Sequence, residues 1–292
     1  MKQTGYAYAF GAGTIINAIA IWKGAAFCID LKTEAEIVLT DDKKIKGYME
    51  EGGDTALIER CVKLTLSRFG STSGAKVATK SEIPIASGLK SSSAAANATV
   101  LATLDALGEK LEPIEAVKIG VQAALDAKVT ITGAFDDACA SMLGGFVITD
   151  NKNMELISRV ERDSEVLILA PEKKVFSSAT NVGRSRLIGR WVELAYNEAL
   201  EGNYEKAMTL NGFLYCAALG FGTEPMMAAL EVGIEGVSLS GTGPAYTALG
   251  SPELLDLLEP VWRRMGGKVI RTKVINTPYL NTGTNTGART CR

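Results

Sequence analysis

Apolar and polar residues alternate at the start of the chain and change to helical spacing further on. Tyr6, Tyr8 and Phe10 alternate with alanines, which predicts a strand over residues 3–10 that ends at Gly11-Ala12-Gly13. Similar patterns predict strands over residues 25–31, 35–40, 75–81 and 146–149. Apolar positions at helical spacing, bounded by proline or glycine, predict helices over residues 55–69, 91–107 and 113–127.

The second half of the chain repeats this mixture in a different order. Strands are predicted over residues 166–170, 237–240, 245–249 and 268–275. Helices are predicted over residues 177–200, 204–219 and 252–265, with a shorter one that starts at 223. This order indicates an α+β domain with an antiparallel sheet, so we expect a domain of residues 1–155 followed by one of residues 156–292. The tail from 276 to 292 is rich in Thr, Asn and Gly and is expected to be a surface loop or disordered.

The stretch with the clearest chemical pattern is EIPIASGLKSSSAAANATVLATLDAL, residues 82–107. A Pro/Gly loop leads into three serines, Ser91 to Ser93, and then into an Ala/Leu-rich helix. A helix start offers free amide N–H groups and the positive end of the helix dipole, which suits a phosphate. A single serine would be enough to cap the helix. Three serines after Gly88, together with Lys90, favour a phosphate site over simple capping.

A second dense stretch, TITGAFDDACASMLGG, covers residues 130–145. Asp136 and Asp137 lie there among small apolar residues, before a Gly-Gly pair. An acid in such a place is often a helix cap, and Asp136 is a candidate for that role. Capping accounts for one carboxylate and leaves the other unexplained. Asp126 lies eleven residues before Asp137, near the end of an apolar helix.

Composition narrows the possible functions. The chain has 292 residues, 47% hydrophobic, with a formal net charge of −2 and scattered basic residues, a balance that suggests neither nucleic acid nor an anionic membrane as a partner. It has no histidine, which excludes Ser-His-Asp and Cys-His machinery. Its five cysteines are far apart and form no CxxC, so free thiols in a reducing compartment are expected. Without an apolar leader or a membrane-spanning run, we expect a cytoplasmic protein.

Weaker signals leave two other classes open. Gly11-Ala12-Gly13 has no third glycine at Rossmann spacing, so a dinucleotide site is not predicted. Ser87 and Lys90 match the SxxK pattern of Ser-Lys acyl transferases, although the chain has neither SDN nor KTG. A nucleotide-binding regulator without catalysis is the non-enzyme alternative. ATP binding without turnover would indicate it.

Three motifs together resemble those of the GHMP kinases: PIASGLKSSSAA at 84–95, TGAFDDACASMLGG at 132–145 and SGTGPAYTAL at 240–249. The resemblance covers the chain from end to end. It implies a two-domain α+β fold, with an N-terminal domain like domain 2 of ribosomal protein S5 and a ferredoxin-like C-terminal domain. It also implies ATP and Mg²⁺. The chain lacks the GxxxxGK[ST] motif of P-loop kinases.

Within this superfamily, GAGTIINAIA at 11–20, together with IASGLKSSSAA and VTITGAFDDA, resembles the archaeal shikimate kinases. That resemblance implies phosphorylation of shikimate to shikimate 3-phosphate. We expect the protein to be a monomer or a homodimer. Homoserine and mevalonate kinases are the alternatives within the superfamily.

The resemblance also assigns roles by position. The loop that wraps the ATP phosphates would comprise Pro84, Ala86, Ser87, Gly88, Leu89, Lys90, Ser91, Ser92, Ser93 and Ala94. Ser91 or Ser92 would reach Mg²⁺, with Ser92 preferred, and Asp126 would be the acidic ligand. Asp137 would orient the acceptor hydroxyl and take its proton. The acceptor site would include Gly13, Thr14, Asp136, Asp137, Gly241, Thr242, Gly243 and Arg184.

Two residues depart from the family pattern. Lys90 replaces the third glycine of GLGSS, and Thr14 replaces the lysine that often assists the catalytic aspartate. Either Lys90 or Lys23 could supply the missing positive charge. The carboxylate of shikimate needs a cationic partner, for which Arg184, Arg186 and Arg190 are candidates, although a solvated helix face explains these arginines equally well.

Overall fold

The first sheet is built on one long strand. The computed structural model describes residues 3–84, 86–172 and 180–278. Strand β1 (Thr4–Ile16) pairs antiparallel with β2 (Lys23–Thr40) along nearly its whole length. The other edge of β2 is shared by β5 (Phe146–Asp150) and β4 (Gly74–Ser81). The two strands predicted over 25–31 and 35–40 are therefore one, because the polar residues between them keep their pairing with β1.

Strand β1 also continues through the glycines at which its end was predicted. A register shift between Phe10 and Gly11 lets the strand bend, after which Gly11 to Thr14 pair with residues 26–29 of β2. The continuation carries the buried Ile15 and Ile16 under the second sheet. The strand therefore ends at the place where the two halves of the molecule meet.

Two edge strands were absent from the prediction. They are β3 (Ile45–Met49), parallel to β4, and β6 (Glu155–Val160), antiparallel to β5. Neither strand contains a fully buried residue, so their hydrophobic pattern is weak. Because β6 pairs with β5, the change from the first sheet to the second falls between Val160 and Glu165. We propose a two-domain division at that point, a few residues after the predicted boundary.

Three of the four helices of the first half pack against this sheet, and the third along the chain packs on the other three. The four helices are α1 (Ala56–Arg68), α2 (Ser91–Leu107), α3 (Pro113–Asp126) and α4 (Phe135–Leu143). Helix α2 is rich in buried alanines, which bring its backbone close to β1. A Cβ at Gly5 of β1 would clash with the Ala102 carbonyl. This tight packing fixes the direction in which the first turn of α2 points.

The second sheet has the strand order β10-β7-β9-β8 with antiparallel pairing throughout. Its strands are β7 (Glu165–Ala170), β8 (Gly236–Leu239), β9 (Tyr246–Gly250) and β10 (Lys268–Lys273). Its helices are α5 (Val182–Leu187), α6 (Gly189–Leu200), α7 (Tyr204–Leu219), α8 (Glu224–Glu231) and α9 (Pro252–Arg264). Numbered within this half, the strand order is 4-1-3-2 with helical crossovers, as in ferredoxin-like domains.

The helix predicted over 177–200 consists, in its described part, of α5 and α6, which meet at Ile188. Its first residues, 177–179, lie outside the described residues, as do tail residues 279–292. The four described cysteines, Cys28, Cys61, Cys139 and Cys216, are buried and free. Among the described helices, none combines the length and hydropathy that a membrane crossing requires.

The two sheets share one hydrophobic core. Its largest cluster joins residues of β1, β2 and β5 to residues of β7–β9, α6, α7 and α9. Phe146 links the halves, because its ring centroid lies 5.6 Å from that of Phe27 and 5.2 Å from that of Tyr204. Because this core is continuous, the loops above it have fixed positions relative to one another.

Candidate active site

A cavity of about 350 Å³ lies where the three motif segments meet. The start of α2, the first turn of α4 and the loop between β8 and β9 all contribute to its wall. The wall includes Ala86, Gly88, Lys90, Ser91, Ser92, Ser93, Asp136, Asp137, Gly241 and Thr242. The structure thus brings together residues that are more than 150 positions apart in the sequence.

The first turn of α2 has the donors that a phosphate group needs. Its first i→i−4 hydrogen bond runs from the Ala94 N–H to the Lys90 carbonyl, at 3.1 Å, so the amides of Ser91 to Ser93 precede the helical ladder. No side chain caps this end of the helix, and Ser92 is exposed at the cavity. Three helix-end amides and three hydroxyls in one cavity wall fit an anionic phosphate chain.

The loop before α2 is held by the second sheet. Ser240 Oγ donates to the Gly88 carbonyl at 2.9 Å, and the Ala245 N–H donates to the Ser87 carbonyl at 2.9 Å. Gly88 has φ of 86°, and a Cβ there would clash with the Ser240 carbonyl oxygen. Leu89 and Ala94 are buried beneath the loop, whereas Pro84 accepts a hydrogen bond from Ser87 Oγ at 2.7 Å. Glycine at 88 is therefore required by both conformation and space.

We expect Gly88→Ala to lower catalytic activity at least about tenfold and to destabilise the fold by more than the roughly 1–2 kcal/mol of left-handed strain alone. Gly108→Ala is the matched control, because Gly108 also has positive φ (72°) but meets no atom within 4 Å. Urea unfolding and steady-state kinetics of both variants make the comparison. Equal losses in the two variants would show that the Ser240 contact is unimportant.

A lysine and an aspartate form the centre of the cavity. Lys90 Nζ lies 2.9 Å from Asp137 Oδ1, and the two side chains are 10% and 11% exposed. Burial and the neighbouring Asp136 raise the pKa of Asp137 to about 7, against the opposing effect of Lys90. Of the two candidates for the missing positive charge, Lys90 is the one in the cavity. Lys23 lies 3.6 Å from Glu193 instead.

Lys90 reaches this position because its backbone is left-handed, with φ of 66° at the residue before α2. Its ion pair with Asp137 also bears on the SxxK alternative. Ser87 Oγ donates to Pro84 and Lys90 Nζ contacts Asp137, so the serine and lysine do not form the hydrogen-bonded pair that an acyl transferase uses.

Asp136 is buried in the same wall and is not a helix cap. The residue before α4 is Ala134, and no side chain caps that end. Instead, Asp136 Oδ1 accepts a hydrogen bond from Asn151 Nδ2 at 2.7 Å, and Thr149 Oγ1 donates to Asn151 Oδ1 at 2.7 Å. The prediction that one of the two acids serves as a cap is therefore wrong.

Thr14 and Gly13 of β1 lie next to the site and position the residues around it. Thr14 Oγ1 accepts a hydrogen bond from the Gly241 N–H at 2.8 Å, and a Cβ at Gly13 would clash with the Phe27 ring. Gly243 closes the turn by donating its N–H to the Ser240 carbonyl at 2.9 Å. These residues shape the loop between β8 and β9, whereas Gly241 and Thr242 face the cavity.

Asn17 is a cavity residue that the motif analysis left without a role. Its Nδ2 donates to the Gly241 carbonyl at 2.8 Å, and its backbone N–H donates to Asn211 Oδ1 at 3.0 Å. A single asparagine within the apolar run of residues 14–20 was the available signal. Other unassigned wall residues are Ala18, Ile19 and Ala124, together with residues from the stretches 49–54 and 128–134.

The structure does not bring Asp126 or Arg184 to the cavity wall. Asp126 Oδ2 accepts a hydrogen bond from Arg60 Nε at 2.6 Å, and Gln122 and Arg60 lower the pKa of its carboxyl group. Arg184 is exposed and donates to the Ala217 carbonyl at 3.1 Å. Among the described residues that line the cavity, the cationic ones are Lys90 and Lys128.

The fold and this site define a small-molecule kinase of the GHMP class. The model of the GHMP kinases N terminal domain matches residues 56–145, which include the first turns of both α2 and α4. Two solved structures share the fold across the chain. They are the mevalonate kinase of Methanococcus jannaschii (TM-score 0.76, 17% identity, 93% of this chain and 98% of that one) and the homoserine kinase of Cytophaga hutchinsonii (0.73, 19%, 94% and 96%).

Two relatives with much closer sequences are named shikimate kinase. A shikimate kinase of Methanosarcina acetivorans is 63% identical over 286 residues, 96% of this chain and 97% of its own length. One from Methanococcoides burtonii is 61% identical over 281 residues, 94% and 98%. The chain belongs to this shikimate kinase family of GHMP kinases. The predicted superfamily and fold class are thereby confirmed.

Proposed function

We propose that the protein transfers the terminal phosphoryl group of ATP to the 3-hydroxyl of shikimate, giving shikimate 3-phosphate and ADP. The observation that carries the proposal is the Lys90–Asp137 pair, which lies in one cavity with the serine amides at the start of α2. An anion site beside a buried carboxylate is the arrangement that phosphoryl transfer to an alcohol requires. The relatives named shikimate kinase match this chain over nearly its whole length, which supports shikimate as the acceptor.

Each part of the site has a task in this reaction. The amides and hydroxyls of Ser91 to Ser93 bind the phosphate oxygens and fix the nucleotide at the start of α2. Lys90 lies between that anion and Asp137, where it compensates the negative charge on both sides. When bound, Mg²⁺ neutralises charge on the phosphate chain, and Ser92, exposed at the cavity, would hold it.

Asp137 orients the acceptor hydroxyl toward the phosphoryl group and receives its proton. With a pKa of about 7, this carboxyl is a better proton acceptor than a solvated aspartate, which loses its proton near pH 4. Only the ionised form accepts a proton. Activity should therefore rise with pH through the neutral range.

Ser92→Ala and Asp126→Asn separate two proposals for the Mg²⁺ ligands. We expect Ser92→Ala to raise the Mg²⁺ concentration needed for half-maximal activity by about tenfold, because one oxygen ligand is lost. We expect Asp126→Asn to change it less than about twofold, because that carboxylate contacts Arg60 and Gln122. Magnesium titrations at fixed ATP measure both values. The opposite ranking would return Asp126 to the metal site and remove Ser92 from it.

A coupled ADP-release assay with shikimate, homoserine, mevalonate and galactose tests the function. We expect turnover with shikimate to exceed that with each other acceptor by at least about a hundredfold. Turnover of one of the others would identify a different GHMP kinase. ATP binding without turnover of any acceptor would favour a regulator.

We also propose a reducing, cytoplasmic environment and a monomeric or homodimeric state. The four described cysteines are buried without a disulfide, which suits a reducing compartment. Sedimentation equilibrium of the purified protein distinguishes monomer from dimer.

A further inference from the structure

Asp136 is a buried acid without a cationic partner among the described residues. It is 4% exposed, lines the cavity and lies next to a second buried carboxylate, Asp137. Lys90 pairs with Asp137, and no ion pair to Asp136 is found among the described residues. A buried carboxylate that meets only neutral donors is costly, and its neighbour makes it more so. A purely structural link between α4 and the end of β5 would not need an acid at this position. An asparagine at 136 could accept the same hydrogen bond from Asn151.

The two carboxylate oxygens of Asp136 have different surroundings. Oδ1 accepts from Asn151 Nδ2, and the hydrogen bond from Thr149 to Asn151 Oδ1 fixes which end of that amide faces Asp136. Oδ2 packs against Gly24, where a Cβ would clash with it. This oxygen has no hydrogen-bond donor among the described residues and is not sealed from solvent. One oxygen therefore anchors the side chain, and the other can accept from a ligand.

We propose that Asp136 determines specificity for an acceptor with two neighbouring hydroxyls. Asp137 accepts from the hydroxyl that is phosphorylated, and Asp136 accepts from the hydroxyl on the adjacent carbon. In shikimate these are the 3-hydroxyl and the 4-hydroxyl. The inference rests on the proposed function, since it assigns the second contact of the same acceptor.

This assignment also explains why two carboxylates stand side by side. Homoserine and mevalonate have no pair of hydroxyls on adjacent carbons. With either of them bound, Oδ2 of Asp136 would therefore receive no hydrogen bond from the ligand. An unpaired buried carboxylate disfavours such ligands more strongly than a missing contact alone. Asp136 thus selects for a diol and against simple alcohols.

The test compares wild type, Asp136→Asn and Asp136→Ala with shikimate, 4-deoxyshikimate and 5-deoxyshikimate. In the wild type we expect kcat/KM to fall about 30-fold or more without the 4-hydroxyl. In both variants kcat/KM for shikimate should fall by a similar factor, and removal of the 4-hydroxyl should then cost less than about threefold. Removal of the 5-hydroxyl should have the same effect in all three proteins. Glu115→Gln, which removes an exposed acid from the first turn of α3, is the control and should match the wild type.

Two results would overturn the inference. One is a fall in kcat/KM on removal of the 4-hydroxyl that is as large in the variants as in the wild type. The other is a fall in kcat/KM of less than about threefold in the wild type itself. This second measurement does not depend on whether a variant folds. Mg·ATP affinity by calorimetry verifies that each variant keeps its nucleotide site. Failure of the wild type to phosphorylate shikimate would instead overturn the proposed function, and the inference with it.

Discussion

Asp137→Asn is expected to lower kcat about a thousandfold while Mg·ATP binds with nearly unchanged affinity. Asparagine keeps the size of the side chain but cannot accept the proton of the acceptor hydroxyl. The serine amides at the start of α2, which bind the nucleotide, are left intact. Single-turnover assays give the rate, and isothermal titration calorimetry gives the affinity.

The control for this variant is Asp54→Asn. Asp54 also lies in the cavity wall and accepts a hydrogen bond from the Ala56 N–H at 2.9 Å, but it is exposed and has no part in the proposed chemistry. We expect its kcat to stay within about threefold of the wild type. An Asp137→Asn enzyme with wild-type turnover would remove Asp137 from its proposed role as proton acceptor.

Lys90→Met is expected to lower kcat/KM for shikimate about a hundredfold and to move its pH dependence upward. In the wild type, kcat/KM should rise with pH through an apparent pKa near 7, because Asp137 must be ionised. Lys90 is the group that lowers the pKa of Asp137, opposing burial and Asp136. Without Lys90 the carboxyl holds its proton to higher pH. The rising limb of the profile should then shift to the alkaline side.

Two further variants make this result specific. Lys23→Met removes a lysine that is 42% exposed and near Glu193, so its pH profile should match the wild type. Lys90→Gly restores the glycine typical of the superfamily and relaxes the left-handed backbone, so it should unfold at higher urea concentration than Lys90→Met with an equally low activity. An unshifted profile in Lys90→Met would show that another group compensates Asp137.

Local patterns were sufficient for most of the regular structure. The helices predicted over 204–219 and 252–265 and the Ala-rich helix behind the three serines have clear end signals, and all of them are confirmed, the second ending one residue earlier, at Arg264. The edge strands β3 and β6 were missed because they bury too little to show a pattern. Strand β2 was divided in two because a polar stretch interrupts its hydrophobic residues without interrupting its pairing.

The candidate site was also predicted only in part from the sequence. The motifs identified the serine amides and the two aspartates, since a phosphate loop and an acidic turn depend on residues close together in sequence. The spacing of eleven residues between Asp126 and Asp137 does not show whether Asp126 reaches the cavity. The end of α3 points toward Arg60 of α1, a contact between residues 66 positions apart. Asn17 stands out in the sequence only as a lone asparagine in an apolar run, and its place in the site follows from its hydrogen bond to Gly241.

The sequence by itself determined the composition of the site: a serine-rich helix start, adjacent carboxylates, and a lysine where the superfamily has glycine. Those features follow from local chemistry, because amides at a helix end and residues on one turn are neighbours in any fold. Only the tertiary structure decided which lysine meets Asp137, and that Asp126 faces away. Such choices depend on how helices and sheets pack across a shared core, where contacts join residues that no local pattern relates.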